Sequence, residues 1–205
     1  MRRIFIVLFV LFSTVISFGN NLSENDTTEV VKNKDFKIEI FQHNGEYGVW
    51  LHEKQERLKT VSNPFEGQVS KLHEACMEEF IPIIQDAFPE ICEAIDSGDL
   101  YRVRLLVRCD DQRNTFKGCQ LVARSKSLEK IHFFVKAITE SNRLMDAIYE
   151  ATEYVYRKIS FIPREELDED KRKKLEDGEN EYYWIMGIAI TKDNLSLYGN
   201  HSYEE

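Results

Sequence analysis

Proline, glycine and tryptophan are scarce: 205 residues hold four, nine and two of them. That composition excludes collagen-like chains and low-complexity linkers. No period of 20–50 residues recurs, which excludes solenoids and propellers. Recognisable catalytic spacing is also missing. There is no glycine-rich phosphate loop, nucleophile elbow, paired Cys-x-x-Cys or His-Glu-x-x-His. Basic charge is in the minority, with 27 Lys and Arg against 36 Asp and Glu for a net charge of −9. Affinity for phosphate backbones rests on Lys and Arg clusters, so no nucleic-acid partner is expected. After residue 19 no apolar run approaches the ~20 residues needed to span a bilayer core.

What is present is unevenly distributed. Thirteen of residues 1–19 are apolar and none is acidic, and the only charges there are Arg2 and Arg3. A positive start, the apolar run Ile4 to Ile16 and the small residues of Ser17-Phe18-Gly19 make the layout of a secretory signal peptide, cut before Asn20. A retained membrane anchor is the competing reading, and the run is short for it. The expected product, residues 20–205, carries 25 basic and 36 acidic side chains, a charge of −11. Of its 186 residues 73 are apolar and 20 aromatic, which is too hydrophobic for a disordered chain. Export to the periplasm or beyond is the expectation, with no membrane span after cleavage.

Export changes how the four cysteines read. Cys76, Cys92, Cys109 and Cys119 would be buried fillers in a reducing cytosol; outside it, disulfides are favoured. Three connectivities are possible. A hairpin symmetric about Asn114 would set Cys109 opposite Cys119 at bridging distance, leaving Cys76 to pair with Cys92.

Along the chain, residues 20–34 are polar and aperiodic, a flexible lead-in. Residues 36–51 read as a hairpin turning at Asn44-Gly45, and 53–62 as loop. From Val69 to Ile95 apolar residues recur at helical spacing, with a break or kink expected at Pro82 and Pro89 and a stop at Ser97-Gly98-Asp99. Tyr101 to Asp110 and Gly118 to Arg124 read as a second hairpin. A long amphipathic stretch capped by Ser127 follows, divided at Ser141-Asn142. Glu165 to Gly178 reads as a solvated turn or short helix, Tyr182 to Ile190 as a strand, and the residues from Thr191 as a polar tail. The predicted class is α+β: a single domain over 35–205, with an antiparallel sheet built from hairpins and packed on one face by long amphipathic helices.

From 101 to 190 the order of strand, turn, strand, helix, Pro163 after a short apolar run, charged loop and strand resembles the C-terminal domain of TonB-type proteins. Val103 to Asp110, Gly118 to Ala123, Tyr149-Glu150-Ala151 with Tyr154, Phe161-Ile162-Pro163 and Tyr183 to Ile190 carry the likeness, which spans under half the chain. It implies an exported bacterial setting and, in that family, an energy-coupling role at outer-membrane receptors. Residues 126–141 are additional to the family pattern, and the Pro-rich linker of energy transducers is absent.

No residue pattern commits to catalysis, a cofactor or a metal. His73 and Cys76, with Glu79, could make a crude metal or nucleophile site, but Cys76 falls on the apolar stripe, so a core thiol is the better account. His52 reads as solvated and His132 as partly buried. The acids between Glu165 and Asp170 lack calcium-loop spacing and are neutralised by Lys171 to Lys174. Trp184, Trp50 and Tyr182 are the candidate contact aromatics, although two-sided burial explains the strand around Trp184 as well and is the preferred reading. The expected role is binding or structural, in the bacterial cell envelope, with an exposed strand edge as the route to a protein partner. An exported hydrolase whose site assembles only in the fold is the alternative to that role and to the TonB-like one.

Overall fold

The computed structural model describes residues 27–53, 60–62, 65, 67–110, 116–178 and 180–199. The expected leader, the first part of the expected lead-in and the expected turn about Asn114 lie outside them.

Alternation of apolar and polar residues builds seven strands into one sheet. They are β1 (Thr27–Lys32), β2 (Phe36–His43), β3 (Glu46–Glu53), β4 (Thr60–Ser62), β5 (Tyr101–Asp110), β6 (Phe116–Ser125) and β7 (Asn180–Ile190), in the spatial order β1-β2-β3-β6-β5-β7-β4. Every neighbouring pair is antiparallel except β4 with β7. Asn44 and Gly45 both take positive φ, 53° and 78°, the two-residue turn that matches strand twist.

The helices are α1 (Val69–Ala87), α2 (Pro89–Asp96), α3 (Leu128–Thr139), α4 (Arg143–Lys158), α5 (Glu169–Glu176) and α6 (Lys192–Tyr198), with a short 3-10 turn at Arg164–Glu166. Helix α1 runs through Pro82 without ending; the break falls at Phe88, and Pro89 opens α2 at the first helical position, where its missing N–H is no loss. Gly98, at φ 82°, follows the end of α2. Arg143 fastens two helix junctions together. It donates to the Ala87 carbonyl at 2.7 Å and to the Glu90 carboxylate at 2.7 Å, and stacks 4.7 Å over Phe88.

One continuous core lies between the helices and one face of the sheet. Ile38, Ile40, Val49, Leu51, Leu105, Val107, Leu121 and Ile188 enter it from the strands; Leu72, Phe80, Phe134, Ile148 and Val155 enter from the helices. The α+β class and the one-sided helical cover are as the patterning predicts. Three readings change. Thr27–Lys32, within the predicted flexible lead-in, is an edge strand. Thr60–Ser62, within the predicted loop, adds to β7, and the polar tail forms α6, whose first turn is capped by Thr191.

All four cysteines are buried thiols and none is in a disulfide. The expected Cys109–Cys119 pairing fails on register. The ladder from Arg104–Val122 onward already sets Val107 opposite Cys119, and the irregularity at Arg108/Cys109 then sets Cys109 opposite Phe116. Diagonal strand neighbours stand ~7–8 Å apart, at or beyond bridging reach. Burial, and then the neighbouring Cys109 thiol, push the Cys76 thiol far up; burial, with the Glu90 carboxylate, pushes Cys92 up to about 11. These thiols are packing groups, inert as nucleophiles.

Candidate binding surfaces

The three aromatics singled out as contacts have separate environments. Trp184 is 0% exposed and belongs to the core: its indole N–H donates to the Tyr156 hydroxyl at 3.1 Å, with Phe65 edge-on at 6.3 Å. It is not a surface contact. The cause is register, because residues 184, 186, 188 and 190 turn toward the helices and 185, 187 and 189 away. The backbone of Tyr182 pairs with Ser62 in the parallel ladder; its side chain lies outside the described residues. Trp50 is half-buried and stands on the opposite, uncovered face, its ring 4.6 Å from that of His52.

The histidines also differ from expectation. His52 is part of β3 and half-buried, not solvated in a loop. His132 is exposed on α3 and bonds Glu29 of β1 at 2.9 Å. His73 is exposed while Cys76, three residues on, is fully buried, so the two do not present one chemical face. Glu79 is taken by Lys158 at 2.8 Å. Among the described residues no three His, Cys, Asp or Glu side chains are grouped as a metal set. Asp168, in the acidic run, caps α5 by accepting from the Lys171 amide at 2.8 Å; this bond and the lysine side chain hold its carboxyl below the usual range.

Two surfaces remain. The first is the β1 end of the sheet. Strand β1 is outermost, and among the described residues nothing pairs with its outer edge. Val30 is 58% exposed. The turn leaving β1 is shaped by Asn33, whose side-chain oxygen accepts from the amides of Asp35 and Phe36. This turn and the α3–α4 junction border a cleft of about 510 Å³. Phe36, Ile138 and Leu144 form its apolar part, with Lys34, Glu140 and Asp146 among its polar lining. Its lining offers shape, charge and the hydroxyls of Thr139, Ser141 and Tyr149.

The second surface is the uncovered face of the sheet, where sequence reasoning found no stripe because its residues come from distant strands. Register sets Val30, Glu39, Trp50, Val122, Arg104 and Ala189 in one row across six strands. Along β5, Arg104, Leu106 and Arg108 alternate with the buried Leu105, Val107 and Cys109. No protein-family model, curated protein or solved structure matches the chain.

Proposed function

We propose that the chain is an exported, non-catalytic module of the bacterial cell envelope that binds a protein partner by strand addition at β1. The observation that carries the reading is the β1 edge, whose outward N–H and C=O groups have no strand beside them among the described residues. Such an edge is a template for another strand. The exposed centre of the edge is the apolar Val30, with the charged Glu29 and Lys32 to either side. The cleft at the β1–β2 turn would receive a side chain from the end of the added strand. Export is supported by residues 1–19, whose charge and apolar pattern match a cleavable leader.

Fractionation and N-terminal sequencing test the export half. A product beginning at Asn20 is expected, and an intact Met1 in the membrane fraction would overturn it. Hydrogen exchange tests the edge half. Adding an envelope extract should slow exchange of the β1 amides, and Val30→Lys should abolish that slowing without altering the melting temperature. Unchanged β1 exchange would count against strand addition.

A further inference from the structure

The uncovered face of the sheet carries positive charge that the acidic chain does not neutralise. Two of its carboxylates are already engaged: Glu39 with Lys37 at 2.8 Å, and Glu46 with Arg124 at 3.3 Å. Arg102, Arg104 and Arg108 have no carboxylate partner among the described residues. Arg108 is half-buried, with its Nε enclosed and without a hydrogen-bond acceptor among the described residues. Arg102 sits at φ 52°, in the left-handed region, where an irregularity in β5 occurs between Tyr101 and Arg104. Backbone strain of this kind clusters at ligand-binding positions.

Between the guanidiniums the floor is largely aliphatic, with Gln120 opposite Leu106 as its polar member. Leu106 lies between Arg104 and Arg108, Val122 is opposite Arg104, and Ile185 is opposite Arg108. All three are half-buried. Successive outward residues of a strand are ~6.6–6.8 Å apart, so Arg104 and Arg108 are separated by ~13 Å with Leu106 midway. A second extended segment has the same period. A segment carrying a carboxylate, an aliphatic side chain and another carboxylate at alternate positions matches arginine, leucine and arginine in step.

We propose that this face binds an acidic, extended segment of a protein partner, with its carboxylates on Arg104 and Arg108 and its aliphatic residue on Leu106. The interaction is separate from strand addition at β1 and requires no backbone pairing. Arginine suits the task because its planar fork meets a carboxylate with two donors. A polynucleotide fits less well. The net charge of −9 repels a long polyanion, whereas a short acidic segment brings only a few carboxylates. A second copy of this chain is the remaining source of carboxylates, which the test must separate.

The test uses the full chain and a fluorescein-labelled peptide of repeated Glu-Thr-Val-Thr-Glu, read by anisotropy. Binding should weaken with added salt, and replacing every Glu by Gln should abolish it. Arg104→Gln should weaken binding about ten- to a hundredfold, the range expected for losing hydrogen bonds to a charged group. Arg108→Gln, which removes the second guanidinium, should weaken it to a similar extent. Val30→Lys should leave peptide binding unchanged, which separates failure here from failure of the edge reading. Absence of binding, equal binding of the Gln peptide, or indifference to both arginine variants would overturn the proposal. So would tighter binding of a single-stranded oligonucleotide, or sedimentation showing a dimer that Arg104→Gln dissociates.

Discussion

Replacing Tyr156 by phenylalanine removes one oxygen from a fully enclosed part of the molecule. Trp184 is 0% exposed and Tyr156 2%, and the indole N–H has the Tyr156 hydroxyl as its acceptor at 3.1 Å. Water cannot reach the indole, so the variant strands a buried donor. That costs about 1–3 kcal/mol. For a chain of this size each kcal/mol lowers the melting temperature by ~2–4 °C, so a fall of ~2–12 °C is expected. The ring contacts to Phe65 and Phe161 remain, and little of the loss comes from packing. A double-mutant cycle isolates the bond. With Trp184→Phe in place the donor is gone, and Tyr156→Phe should cost about 1 kcal/mol less than it does alone. Thermal unfolding by circular dichroism reads all four proteins. Equal costs in both backgrounds would refute the stranded-donor argument. In a Trp50→Phe background the remaining indole, Trp184, should be shielded from acrylamide; ready quenching would return it to the surface.

Three further outcomes follow from the same packing. A Cβ at Gly48 would overlap the Phe41 ring, which is 4% exposed and has Arg124 above it at 5.7 Å, so Gly48→Ala should cost about 1–3 kcal/mol, relieved when Phe41→Ala is added. Native protein should show no thiol reacting promptly with Ellman's reagent and four after unfolding; a mass rising by two on reduction would instead reveal a disulfide. Burial raises the Glu90 carboxyl, but the Arg143 guanidinium overrides this and holds it below its ordinary 4.5. The folded value is the lower one, so this pair's stabilisation is present above pH 4.5 and lost as pH falls through the folded value. Arg143→Met should remove that part of the acid dependence, measured as the difference in urea midpoint between pH 6 and 3.

The elements legible in the sequence are those whose signals are local. Asn44-Gly45 marks a hairpin because few other dipeptides enter two positive-φ positions cheaply. The stripes Leu72, Cys76, Phe80 and Leu144, Ile148, Ala151, Val155 mark helices because each needs only its own period. Strand β1 escaped notice. Its Val30 and Val31 point to opposite faces, and a bulge near Thr28 interrupts alternation, so no six-residue pattern could form. Helix α6 is too short and polar for a stripe, and is held by Thr191 and by packing on α1 and α2.

By itself the sequence determined the α+β class, most helix and strand positions, the acidic charge and the pattern of a leader, all read from composition or from neighbours a few residues apart. Tertiary structure alone decided which side chains meet. The register of the β5–β6 hairpin separates Cys109 from Cys119, and the phase of β7 sends Trp184 into the core. Arginines from one strand join Trp50 and Val122 from others on an open face. These outcomes depend on which residue of one strand stands opposite which residue of another. A shift of one position exchanges the two faces, and that choice is settled by the packing of the whole chain.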